Sequence, residues 1–313
     1  MGLFSSLFFS SKIEKDQQQK ADQKKFDILK YDGIRAQQMG KLEYAVKCLT
    51  EALKIQKDFE TLNYLMTACY MLNRHDEALE AINGMVETGE EPAISLLMRA
   101  NLYFIMEKYA EAVADCMKVL ELKPDNHIAC FQLAKSHSAL DEPEKAIEYL
   151  DKATAIKPDF AEGFTLRAQI YLALGKGTEA LADVEKLMEL APEDETVYLL
   201  RGRCYELLGD DGAALCDYNQ VSELNPFNEE SYLLTGRLMM KQEKYDEAIA
   251  LFDEAIEHNE KFAKAYMARA YAKHQPGDHE GALEDEEKAK ELNPDEKTAG
   301  NHNFDDLYKG NII

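Results

Sequence analysis

Residues 161–194, AEGFTLRAQIYLALGKGTEALADVEKLMELAPED, and residues 195–228, ETVYLLRGRCYELLGDDGAALCDYNQVSELNPFN, repeat one pattern at one spacing. Counted from Ala161 and from Glu195, place four holds Phe164 and Tyr198, place eight Ala168 and Gly202, and place eleven Tyr171 and Tyr205. Place twenty holds Ala180 and Ala214, place twenty-four Val184 and Tyr218, and place thirty-two Pro192 and Pro226. Working outward, Pro124, Pro158, Pro192 and Pro226 stand 34 residues apart without a slip. A constant period of this length is the mark of a unit that stacks on copies of itself.

Each place has a physical reason. Small residues at eight and twenty let two antiparallel helices approach, and large ones at eleven and twenty-four fill the space beside the contact. Gly175, at place fifteen, suits the left-handed residue that ends a helix. Pro192 ends the second helix, because proline lacks the amide hydrogen and pushes its predecessor out of the α region. One such hairpin cannot bury its apolar side alone, so neighbours must stack.

This pattern resembles the tetratricopeptide repeat family. The resemblance implies an all-α, right-handed superhelical solenoid of about eight helix-turn-helix repeats, starting at residues 26, 59, 93, 127, 161, 195, 229 and 263 and spanning 26–296. The first repeat is one residue short, and the eighth departs usefully, with Lys273 at place eleven and Glu286 at place twenty-four. Its second helix, rich in Glu and Lys, reads as the polar lid of an open-ended array. Residues 297–313 are a tail whose Phe304, Leu307 and Tyr308 could dock back.

Residues 1–25 form an apolar and then polar leader. Leu3, Phe4, Leu7, Phe8 and Phe9 cluster among serines with no basic stretch ahead and no small-residue cleavage site behind, so no secretory signal is read. Met1, Gly2 and Ser6 fit the myristoylation pattern, and five lysines from Lys12 to Lys25 could supply the second signal that anchoring needs. Against it stands a helical end that packs on the first repeat or on a partner. Membrane contact through residues 1–12 is kept as an alternative.

Composition bounds the function. Apolar residues make up 46% and charged residues 30%, which excludes a wholly disordered chain. No stretch reaches the roughly 18 apolar residues that a membrane span needs. The formal charge is −23, with eleven Lys/Arg against nine Asp/Glu in the first sixty residues and 25 against 50 in the rest. That balance disfavours nucleic acid, whose binding draws on clustered cations. Six cysteines without a Cys-x-x-Cys pair read as buried, reduced thiols, and a reducing, cytoplasmic setting follows, peripheral to a membrane if the leader anchors.

Enzyme chemistry finds no support. The nearest histidines, His258, His274 and His279, straddle a loop without the i, i+4 pairing of a metalloprotease helix, and no phosphate-binding glycine loop or nucleophile elbow occurs. No catalytic residue, metal site or cofactor is expected, and the repeats leave no room for a catalytic domain.

Two sets of residues stand out. Arg99, Arg167, Arg201 and Arg269 occupy place seven, and Asp115, Asp183, Asp217 and Asp285 occupy place twenty-three of the same four repeats, while the other four repeats have neither. The pairing predicts an Arg–Asp bridge between the two helices of each repeat. The second set comes from the resemblance, which implies that places two, five, nine, twelve and thirteen line a concave surface. Place nine then contributes Asn101, Lys135, Gln169, Arg203 and Arg237, and place five Leu97, Phe131, Leu199 and Leu233. A basic and polar line beside an apolar one would suit a partner segment with acidic and hydrophobic residues. The carboxylate clamp of heat-shock co-chaperones in the same family is not matched, because Ile34, Tyr64, Ile94 and Met98 stand where it needs polar or basic groups. The chain is expected to be a protein-binding scaffold or adaptor. The alternatives are a membrane-held organiser and an assembly factor without that clamp, and self-association is left open.

Overall fold

A computed structural model of the protein describes residues 3–293, with side chains from residue 17 onward. The expected docking of Phe304, Leu307 and Tyr308, and the side chains of the apolar leader, lie outside the described residues. Sixteen α-helices and no strand occur among the described residues, in two compact units that divide after Ile156.

The first unit contains α1 (Leu3–Gln38), α2 (Leu42–Leu53), α3 (Phe59–Met71), α4 (His75–Thr88), α5 (Pro92–Ile105), α6 (Tyr109–Leu122), α7 (His127–Ala139) and α8 (Pro143–Ile156). The second contains α9 (Ala161–Ala173), α10 (Gly177–Leu190), α11 (Glu195–Leu208), α12 (Asp211–Leu224), α13 (Glu229–Lys241), α14 (Tyr245–His258), α15 (Ala263–His274) and α16 (His279–Leu292). The eight helix pairs are the eight repeats. Helix α1 runs unbroken through residue 25, since no proline or glycine interrupts residues 3–32 and Lys, Gln and Ala propagate a helix well.

One backbone device turns every hairpin. Place fifteen adopts a left-handed conformation in all eight repeats, at Gly40, Asn73, Glu107, Asp141, Gly175, Gly209, Glu243 and Gly277, with φ between 57° and 96°. The amide of the next residue then reaches back to the carbonyl of place eleven, as in Lys108 to Tyr103 at 2.8 Å and Lys244 to Met239 at 2.9 Å. This closure satisfies the orphan carbonyls of the first helix and aims the chain into the second. In some repeats the place-thirty-four side chain caps the next helix, Asn126 accepting from the Ala129 amide and Asn228 from the Ser231 amide, whereas Phe160 and Phe262 at the same place make no side-chain cap.

The core is set by complementary sizes at two places. Gly202 faces Tyr218 and Gly236 faces Phe252 so closely that a Cβ on either glycine would overlap the ring, and both rings are fully buried. Where place twenty-four is smaller, as in Cys116, Leu150 and Val184, place eight is Ala100, Ala134 and Ala168. Apolar clusters cross from repeat to repeat within each unit. One joins Ala36, Leu49, Leu62, Ile82, Met85 and Leu102 in the first unit, and another joins Tyr232, Phe252, Phe262, Ala265 and Ala268 in the second. Cys48, Cys69, Cys116, Cys130 and Cys204 are buried free thiols, but Cys216, at place twenty-two on the outer side of α12, is exposed. Burial pushes Cys69 up to about 11 and Cys116 and Cys204 up to about 12, because a thiolate there would lack solvent.

Candidate functional site

The four Arg–Asp pairs form bidentate bridges between the two helices of their repeats. Arg99 Nε and Nη2 donate to the two oxygens of Asp115 at 2.6 and 2.8 Å. The same two atoms of Arg167 reach Asp183 at 2.9 and 2.5 Å, those of Arg201 reach Asp217 at 2.8 and 2.6 Å, and those of Arg269 reach Asp285 at 2.9 and 2.6 Å. The four aspartates are each at most 5% exposed, so they cannot meet a ligand. Two arginines also reach back one repeat, Arg99 to Asn83 at 2.8 Å and Arg269 to Asp253 at 2.5 Å. Hydrogen bonding to the aspartate raises the pKa of Arg99 and of Arg201 above the usual guanidinium range.

The partner-facing candidates of the first unit lie on α5 and α7. On a helix, Ile94, Leu97, Asn101 and Ile105 fall within about a quarter turn of one another, as do Ile128, Phe131 and Lys135. Asn101 is exposed, and Leu97, Phe131 and Lys135 are half-buried. Lys135 Nζ sits 4.4 Å from the centre of the Phe104 ring, which ties the two helices together. Ile94, Ile105 and Ile128 are 46%, 40% and 45% exposed, and Tyr70 and Met71 on α3 are exposed as well. These five apolar residues occupy places two, twelve and thirteen. They were within reach of the repeat alignment, but attention to places five and nine alone passes over them.

In the second unit Gln169 is exposed on α9, while the two arginines are engaged. Arg203 pairs with Glu230 on α13, and Arg237 pairs with both oxygens of Glu206 on α11. Glu206 also accepts from the Tyr218 hydroxyl at 2.5 Å, and burial together with that carboxylate holds the phenol far above its usual range. The expected basic line is therefore neutralised by glutamates from the neighbouring repeat. Leu199 and Leu233 are 9% and 4% exposed and pack into the cores around Tyr218 and Phe252. The large rings at place twenty-four cover them, whereas Leu97 and Phe131 stand in repeats whose place twenty-four is Cys116 or Leu150.

No group of three or more metal-ligating side chains occurs among the described residues, and no described helix is long and apolar enough to cross a membrane.

Family models described as tetratricopeptide repeat match residues 103–170, 165–229 and 233–297, together more than half of the chain. Among solved structures, a tetratricopeptide repeat protein from Parabacteroides merdae superposes with a TM-score of 0.60 at 18% identity, covering 80% of this chain and 97% of that one. PilW, described as a widely conserved type IV pilus biogenesis factor, gives 0.56 at 21% identity, covering 66% of this chain and 96% of its own. No curated protein sequence matches the chain. At these identities the two structures speak for the fold.

Proposed function

Since the chain belongs to the tetratricopeptide repeat family, whose members are generally protein–protein interaction scaffolds, we propose that it is a non-enzymatic adaptor that holds a partner segment against its odd-numbered helices. In the first unit Ile94, Ile105, Ile128 and the half-buried Leu97 and Phe131 supply apolar burial. Asn101 offers side-chain hydrogen bonds, and Lys135 offers a charge to a partner carboxylate. In the second unit Gln169 plays the part of Asn101, Arg203 and Arg237 act through their ion pairs with Glu230 and Glu206, and Leu199 and Leu233 support the face from beneath.

The observation that carries this reading is the row of exposed isoleucines on one side of α5 and α7. Isolated apolar residues at a surface need no explanation, but several on one side of neighbouring helices mark a contact area. Lys135 sits among them as the charged member, so the matching segment is apolar with at least one acidic residue.

The test is affinity capture with the intact protein and with a triple variant, Ile94→Asp, Ile128→Asp, Lys135→Glu, checked for an unchanged far-UV spectrum and melting midpoint. The reading requires that partners recovered by the intact protein drop out with the variant. Equal recovery by both would remove it.

A further inference from the structure

The hairpin joining α15 to α16 brings together two imidazoles, one at place twelve of the eighth repeat and one at the start of its second helix. His274 closes α15 and His279 opens α16, across Gln275, Pro276, Gly277 and Asp278. Their Nδ1 atoms lie 3.1 Å apart. The other nitrogen of His274, Nε2, lies 3.2 Å from Glu286 Oε1 on α16. An ionised carboxylate only accepts hydrogen bonds, so Nε2 carries the proton of His274 and the lone pair of the neutral ring is left on Nδ1. That lone pair is directed at His279.

We propose that His274 and His279 form a two-imidazole site for a divalent transition-metal ion of the zinc, nickel or copper(II) class, with Glu286 as its positioning residue. Three observations converge on this. Two nitrogens bound to one ion at about 2.0–2.1 Å, with an angle between right-angled and tetrahedral, stand about 2.9–3.4 Å apart, and the observed separation falls inside that window. A metal-bound histidine characteristically gives its far N–H to a carboxylate, which fixes the tautomer and the ring orientation, and Glu286 stands where that role requires. Imidazole nitrogens also suit these ions better than magnesium or calcium, which prefer oxygen. His279 is exposed, so an ion can enter from solvent, and its single proton moves to Nε2 when Nδ1 binds. Among the described residues no group of three or more metal-ligating side chains occurs, so the proposed site is a two-imidazole one. The site is measured without any partner.

The experiment uses the full chain carrying Cys216→Ser, which removes the exposed thiol as a competing ligand. Copper(II) is added and its electron paramagnetic resonance spectrum recorded, and zinc affinity is measured by competition with a chromophoric chelator. The expected result is one ion per chain with hyperfine structure from two nitrogens. His279→Ala, at an exposed position, leaves the far-UV spectrum unchanged, reduces the pattern to one nitrogen and weakens zinc at least about tenfold. Glu286→Gln keeps two nitrogens and weakens zinc by about tenfold. Zinc affinity unchanged by His279→Ala, or binding that instead disappears with His258→Ala, would overturn the assignment.

Discussion

Replacing Asp115 by alanine isolates what the repeated Arg–Asp bridge contributes. The change removes two charge-assisted hydrogen bonds and leaves the Arg99 guanidinium without its counter-charge, in a side chain only 15% exposed. Breaking a fully buried pair costs about 3–5 kcal/mol, but Arg99 keeps its Asn83 acceptor and some water, so the expected loss is about 2–3 kcal/mol. Asp217→Ala should cost less, about 1–2 kcal/mol, because Arg201 is 26% exposed and can rehydrate. In a repeat array such a loss is read locally, since each repeat is held by its own packing and its neighbours. Amide hydrogen exchange of the intact chain should therefore accelerate about 30- to 150-fold in α5 and α6 for Asp115→Ala, and less, in α11 and α12, for Asp217→Ala. The double variant Arg99→Met, Asp115→Leu should recover much of the loss, because no charge is left stranded. Acceleration below about threefold in α5 and α6, or spread evenly over both units, would refute the reasoning.

Other outcomes follow from the same geometry. Glu107→Gly and Glu243→Gly place a residue without a Cβ penalty at a left-handed position, and each should stabilise its unit by about 1 kcal/mol in denaturant unfolding. Gly236→Ala drives a methyl group into the buried Phe252 ring and should destabilise by about 1–3 kcal/mol despite alanine's better helix propensity, with Phe252→Leu in the same chain relieving part of it. Above pH 9 the fold should weaken progressively. The folded chain holds Cys69 at about 11, and Cys116, Cys204 and Tyr232 at about 12, above their unfolded values, so it binds protons that the unfolded chain releases, and stability present below pH 9 is lost as pH rises toward 12. A thermal melt series from pH 8 to 11 reads this directly.

The fold was legible because its punctuation is chemical. Prolines at helix ends, small residues at places eight and twenty, and Gly175 at place fifteen each answer a local steric demand, so a run of 34-residue copies carries the architecture. The left-handed conformation of Glu107, Asp141 and Glu243 was not legible, because there the stacked helices impose a turn that the residue itself does not favour. The partner face was only half legible. Aligning repeats reveals columns, but the pairs Arg203–Glu230 and Arg237–Glu206 join different columns in adjacent repeats, so their cancellation of the basic line appears only in three dimensions. Leu199 and Leu233 went inward for a related reason, since the rings of Tyr218 and Phe252 decide their burial from a different helix. The sequence shows His274 and His279 only as histidines across a loop without helical metal-site pairing, because four residues and a turn separate two side chains that the hairpin closes upon each other.

The central claim, that the odd-numbered helices present the binding face, is tested most directly by hydrogen exchange on the chain with and without a captured partner. Protection gained by the odd-numbered helices, most strongly around Ile94–Ile105 and Ile128–Lys135, with the even-numbered helices unchanged, is the predicted result. Protection concentrated on the even-numbered helices would contradict it.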